Sequence, residues 1–163
     1  MIRKHEDGLK RCGWLNNDQL YLGLSWITIL KRREGFRKAF KNFDLKKVAK
    51  LTDADVDRLM QDEGIIRNRA KILSTIKNAQ LILELQKSGE SISDIVWSFA
   101  PAKRQRAASS FEWIAITPES EALSKHLRKL GFGFVGATTM YALMQATGMV
   151  NDHAPGCFRR AQL

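Results

Sequence analysis

The stretch from Thr52 to Gln86 constrains the fold more than any other part of the chain, because it carries the marks of two helices parted by a glycine. Thr52 stands where an N-cap is expected, Asp55 holds the capping-box position, and Val56, Leu59 and Met60 form an apolar stripe behind them. The helix is interrupted at Asp62-Glu63-Gly64, where glycine supplies the permissive backbone a tight turn wants. From Arg67 to Gln86 the period is helical again, with Ile72, Ile76, Ala79 and Leu83 on one face. Helix, glycine turn and helix make a hairpin over about residues 59–72, and an all-α chain is expected around it.

The other segments agree. Ser25 to Phe40 begins with Trp26, Ile27, Ile29 and Leu30 and then turns cationic, which predicts a helix with one buried end. Thr117-Pro118-Glu119 reads as an N-cap, a proline at the first helical position and an early acid, and Gly131 ends that helix after Lys125, Arg128 and Lys129. A last helix is expected from about Thr138 to Ala146, with Tyr141 and Met144 in its apolar set and Gly148 beyond it. Pro101 to Ser110 has no periodicity and is expected to be a flexible loop. At 163 residues one domain spanning 1–163 is the default.

Charge narrows the partner. Lys and Arg number 27 against 17 Asp and Glu, a net +10. Nine cations (Lys31, Arg32, Arg33, Arg37, Lys38, Lys41, Lys46, Lys47 and Lys50) crowd residues 31–50, which points to a polyanion or, more plainly, to a solvated helix face. No apolar run reaches the roughly 18–20 residues of a membrane span, and the polar start MIRKHEDGLK does not read as a signal peptide, so a cytoplasmic protein without membrane partners is expected. Cys12 and Cys157, near opposite ends, suit free thiols or a metal better than a disulfide in a reducing compartment.

The hairpin at Gly64 is a candidate DNA site. Backbone N–H groups at a helix start, with its positive dipole end, can hold a phosphate oxygen. Arg67, Asn68, Arg69 and Lys71 follow the turn, while Ile65 and Ile66 would pack it on the core. A glycine turn between helices is also common as plain structure; the cations after it are what favour DNA. Binding of this kind is indifferent to sequence and weakens steeply with salt.

Several segments, in this order and spacing, carry a resemblance. They are Arg11-Cys12-Gly13-Trp14 with Leu20-Tyr21, Gly23-Leu24-Ser25-Trp26-Ile27-Thr28-Ile29-Leu30-Lys31, Gly64-Ile65-Ile66-Arg67, and Val96-Trp97-Ser98-Phe99. Gly131-Phe132 then runs through Val135-Gly136-Ala137-Thr138-Thr139 to Met144-Gln145-Ala146, Gly148 and Val150-Asn151-Asp152-His153. Together they resemble the DNA-3-methyladenine glycosylase I family of the helix-hairpin-helix glycosylase superfamily over nearly the whole chain. The resemblance implies a monomer that acts on alkylated double-stranded DNA, flips 3-methyladenine from the stack and hydrolyses its N-glycosyl bond without a lyase step. Methylation at N3 makes the base cationic, so the pocket recognises a cation by aromatic stacking and a nearby carboxylate. Trp14, Tyr21 and Trp26 match pocket aromatics of the family, although core packing is their ordinary role. Thr138 and Thr139 match DNA-contacting positions.

One departure is large. The family carries, between the positions matching Tyr21 and Gly23, a block with a Tyr-His-Asp-x-Glu-Trp-Gly motif, a helix and the pocket Glu. Here Tyr21 runs through Leu22 straight to Gly23. The pocket carboxylate that the resemblance assigns to recognising the methylated base has no counterpart, and neither Glu34, Glu63 nor Asp94 stands in the context of a substitute. The family's structural zinc, which ties its termini together, matches Cys12, His153 and Cys157 but lacks its fourth ligand; the ion is then absent, completed by water or completed by His5. Two readings follow, an active base-excision glycosylase and a DNA-binding remnant of the family without catalysis. A zinc-clasped RNA-binding protein is a third, supported by charge alone.

Overall fold

The structure, a computed structural model, describes residues 26–102 and 114–153, with side chains from residue 31 onward. Its elements are α1 (Trp26–Ala39), a short 3-10 turn (Lys41–Phe43), α2 (Leu45–Val48), α3 (Asp53–Leu59), α4 (Arg69–Lys87), α5 (Ile92–Trp97), α6 (Pro118–Lys129) and α7 (Ala137–Ala146). No strand occurs among the described residues, as the helical periodicity predicts. No described helix is long and apolar enough to cross a membrane. Most of the 101–110 loop lies outside the described residues.

Local signals set the boundaries. Thr52 and Asp55 form the reciprocal capping box of α3, and Thr117 caps α6 with Pro118 in its first turn. Gly131 closes α6 at φ +91°, a left-handed conformation that costs glycine nothing, with Gly131 N–H donating to Arg128 O and Phe132 N–H to Leu127 O, both at 3.0 Å. The helix expected from Arg67 starts at Arg69, because the Asn68 side chain caps it by accepting from the Lys71 amide at 3.1 Å.

Packing gives two apolar clusters, and α4 runs through both. Ile72, Ile76 and Ala79 join Phe36, Phe40, Val48, Val56, Leu59 and Ile65 in the first. One turn on, Ile82 enters the second, with Val96, Leu123, Leu127, Phe132, Val135, Met140, Tyr141, Leu143 and Met144. The buried stripe therefore leaves Ala79 by a step of three to Ile82, and Leu83, expected on the core face, is half-buried. Nineteen residues at about 1.5 Å each make α4 roughly 28 Å long, enough to serve both clusters.

After α1 the chain reverses through Lys41, Asn42 and Phe43, all left-handed at φ 55–56°. Such conformations cost non-glycine residues roughly 1–2 kcal/mol each. They put half-buried Phe43 parallel to buried Phe40 at 5.9 Å, which itself stacks on Phe36 at 6.3 Å, so an aromatic column offsets the strain.

The α3 cap titrates. Asp55 accepts from the Thr52 N–H, from Arg58 and from the Thr52 hydroxyl, and these bonds hold its carboxyl at about 2 against an ordinary 3.8. A depressed carboxyl stabilises the fold above its unfolded value, and that contribution disappears as pH falls towards 2. In Asp55→Asn the stability lost between pH 4 and pH 2, measured by urea denaturation, should be smaller than in wild type; an identical profile would refute the assignment.

Candidate nucleic-acid interface

Residues 61–70 are exposed or half-buried apart from Ile65, which is 2% exposed and pins the turn to the first cluster as expected. Gly64 does not adopt the left-handed conformation that a glycine turn invites. The close approach here depends on Gly35 of α1: a Cβ there would lie 2.1 Å from the Gly64 carbonyl oxygen, whereas a Cβ on Gly64 would stand 3.7 Å from the Gly35 Cα. Arg32, one helical turn before Gly35, donates Nη1 to the carbonyl of Glu63 and, at 3.2 Å, to that of Ile65. A trans peptide directs its N–H opposite its C=O. Carbonyls 63 and 65 held towards α1 therefore turn the N–H groups of Gly64 and Ile66 away from it, outward. The Gly64 N–H meets the Asp62 carboxylate at 2.8 Å.

The cations expected at this turn have different fates. Arg67 is exposed and makes no ion pair among the described residues. Arg69 pairs with Asp57 of α3 at 2.6 Å, which raises its pKa and ties the two hairpin helices together. Asn68 is spent as the α4 cap. Lys71 is 8% exposed, its pKa lowered by burial, with Nζ 6.0 Å from the centre of the Phe134 ring.

Phe134 belongs to a second turn, within the segment Gly131 to Thr139 that carries part of the resemblance. Residues 131–136 connect α6 to α7, and the two helices share the second cluster through Leu123, Leu127, Met140 and Met144. This is also a helix, a glycine-rich turn and a helix. Asn78 of α4, 2% exposed, grips it: its Nδ2 donates to Gly133 O at 3.1 Å and its Oδ1 accepts from Gly133 N–H at 2.9 Å. Ser74 lies so near that a Cβ on Gly133 would fall 2.4 Å from its Oγ. Helix α7 then starts at Gly136 with no side-chain cap, so the amides of its first turn remain for an acceptor from outside. Arg128 brings Nη2 to 3.8 Å from where a Gly136 Cβ would stand. Thr138 is exposed at this end, whereas Thr139 is 6% exposed and turned inward.

Both turns border α4: the first leads into it, and the second is held by its Ser74 and Asn78. At the first, the Gly64 and Ile65 amides bond to Asp62, which leaves the Ile66 N–H; the second presents the uncapped start of α7, with Phe134 near Lys71 of α4. Each turn has a cation at hand for a phosphate, Arg67 at the first and Arg128 at the second.

Of the base-pocket residues, Trp14 and Tyr21 lie outside the described residues, and Trp26 is described only by its backbone as the first residue of α1. Cys12, Cys157 and His5 also lie outside them. His153 is described: it is half-buried and its N–H donates to Asn151 Oδ1 at 3.3 Å. Its neighbour Asp152 accepts from Tyr141 Oη and from Gln145 Nε2, the latter at 2.9 Å, and so is tied to α7.

Comparison with known proteins bears on this geometry. The family description Methyladenine glycosylase matches residues 10–160. DNA-3-methyladenine glycosylase 1 of Escherichia coli K12 is 42% identical over 179 aligned positions, which cover 91% of this chain and 96% of that protein. The alignment has more positions than this chain has residues (163), so stretches of that relative have no counterpart here. A crystal structure of 3-methyladenine DNA glycosylase I superposes with a TM-score of 0.84 at 46% identity, covering 93% of this chain and 84% of the other. A variant of 3-methyladenine DNA glycosylase I in complex with 3-methyladenine gives 0.79 at 30% identity, covering 94% and 82%.

Proposed function

The chain belongs to the methyladenine glycosylase family, and on that premise we propose that it is a base-excision glycosylase for alkylated double-stranded DNA. It releases 3-methyladenine by hydrolysis of the N-glycosyl bond, leaves an abasic site and has no lyase step. The observation that carries the DNA grip is the uncapped α7 start beside Arg128, on a turn whose Gly133 is held by Asn78. A phosphate at each turn anchors the strand, and the damaged nucleotide rotates out of the stack towards the start of α1. By the resemblance Trp14, Tyr21 and Trp26 would stack on a base that is already cationic and departs neutral once the bond breaks. Water adds to the sugar carbon and its proton passes to solvent or to a nearby base.

A second reading is supported by the direct passage from Tyr21 through Leu22 to Gly23 and by the unmatched stretches of the Escherichia coli relative. In it the chain keeps the grip and lacks the carboxylate that recognises the cationic base. One experiment separates the two. Methylated duplex DNA is incubated with excess protein, and released 3-methyladenine is quantified beside duplex affinity measured from low to high salt. Release above the uncatalysed rate, with affinity falling steeply as salt rises, is the expected result. Salt-dependent binding without release establishes the second reading, and affinity independent of salt removes both.

The resemblance also carries a structural zinc clasp through Cys12, His153 and Cys157, with His5 or water as fourth ligand. The anchoring of Asp152 on α7 is compatible with His153 as a ligand, because it fixes the backbone beside it. Zinc bound there would tie the two chain ends together. Elemental analysis of purified protein tests this, and finding no zinc would remove the clasp.

A further inference from the structure

Phe134 combines three properties that ordinary packing does not reconcile. Its backbone is left-handed, at φ +57°, a conformation that bulky L-residues rarely adopt. The residue is 37% exposed, whereas Phe132 and Val135 of the same turn are 5% and 1% exposed, so burial does not offset the strain. The turn that carries it is rigidly held, with Gly133 gripped on both its N–H and C=O by Asn78 and its Cα set against Ser74. Strain that the surroundings enforce, at an exposed apolar residue, marks a site whose benefit comes from outside the chain.

The charges around the ring identify the occupant. Lys71 Nζ stands 6.0 Å from the ring centre, and the uncapped start of α7 follows two residues later with Arg128 beside it. An apolar ring set between cationic or dipolar anchors matches a DNA strand, in which base and sugar faces lie between phosphates.

Resting on the glycosylase reading above, we propose that Phe134 is a DNA-contacting residue, its ring packing on the base or sugar beside the phosphate held at the start of α7. The left-handed backbone aims the ring outward, and the Asn78 grip keeps it there before DNA arrives.

The test uses the full chain with the substitutions Phe134→Gly and Phe134→Leu. Two quantities are measured for each: the urea midpoint, and affinity for a labelled duplex carrying a tetrahydrofuran abasic analogue across a salt series. Glycine adopts φ +57° freely, so F134G should keep or raise the urea midpoint while weakening duplex binding about tenfold, the order of loss seen when an aromatic stacking partner is truncated. The slope of log affinity against log salt should not change, because no phosphate contact is removed. F134L, which keeps an apolar side chain, should fall between wild type and F134G in affinity. The proposal is overturned if F134G lowers the midpoint and leaves affinity intact, which would make the ring a structural cover for Lys71. It is equally overturned if affinity is unchanged at any stability, or if the salt slope falls with the affinity, since the ring would then be shaping the phosphate site. Wild-type protein that fails to bind duplex at all overturns the glycosylase reading, and this proposal with it.

Discussion

Gly35→Ala should destabilise the protein by about 3 kcal/mol, at the upper end of what overpacking costs. In an exposed helix the same change would stabilise by up to about 1 kcal/mol, so even the sign is informative. The new Cβ would stand 2.1 Å from the Gly64 carbonyl oxygen and 2.8 Å from its carbon, backbone atoms that no rotamer change can move. Helix α1 cannot withdraw without drawing Phe36, fully buried, out of the first cluster. Nor can the turn withdraw without breaking the bonds from Arg32 to Glu63 and Ile65. Gly64→Ala should be much milder, because its Cβ would meet only the Asp62 Oδ1 at 2.9 Å, the end of a side chain that can swing away. Urea denaturation of both variants checks the pair, and a G35A protein as stable as wild type would refute the contact.

Asn78→Ala is the second large effect. Asn78 is 2% exposed and satisfies both backbone groups of Gly133, whose partners would vanish together. An unsatisfied buried polar group costs roughly 1–3 kcal/mol, so a loss of about 3 kcal/mol is expected for the two. Duplex affinity should fall as well, since the 131–136 turn then loses its hold on α4. If the midpoint drops while affinity of the remaining folded protein is unchanged, the turn takes no part in the DNA grip.

These two positions show where the sequence could be read and where it could not. Thr52, Asp55, Thr117 and Gly131 declare themselves because a cap and its partner lie within a few residues, so the spacing already contains the bond. Arg32 was only one cation in a run of nine, because its acceptors lie 31 and 33 residues away. Asn78 sat unremarked on a helix face, its partner 55 residues on. The lone glycine at Gly64 suggests a left-handed turn it does not make, whereas the glycine the close approach requires is Gly35, hidden inside a helix with its partner 29 residues on. In the turn at Gly133, Phe134 carries the left-handed conformation that a reader looks for in glycine. The aromatic pocket and the zinc clasp rested on resemblance, and of their residues only His153 is described with its side chain.

The passage of α4 through both apolar clusters has an evolutionary consequence. A helix shared by two cores is answerable to both, so a shift of its backbone between Ala79 of the first cluster and Ile82 of the second is judged twice by selection. Changes at the far ends of the molecule can be compensated locally, within one cluster. Changes in the middle of α4 need simultaneous compensation on two sides. The middle of this helix should therefore drift most slowly as the lineage diverges, even where it touches no DNA.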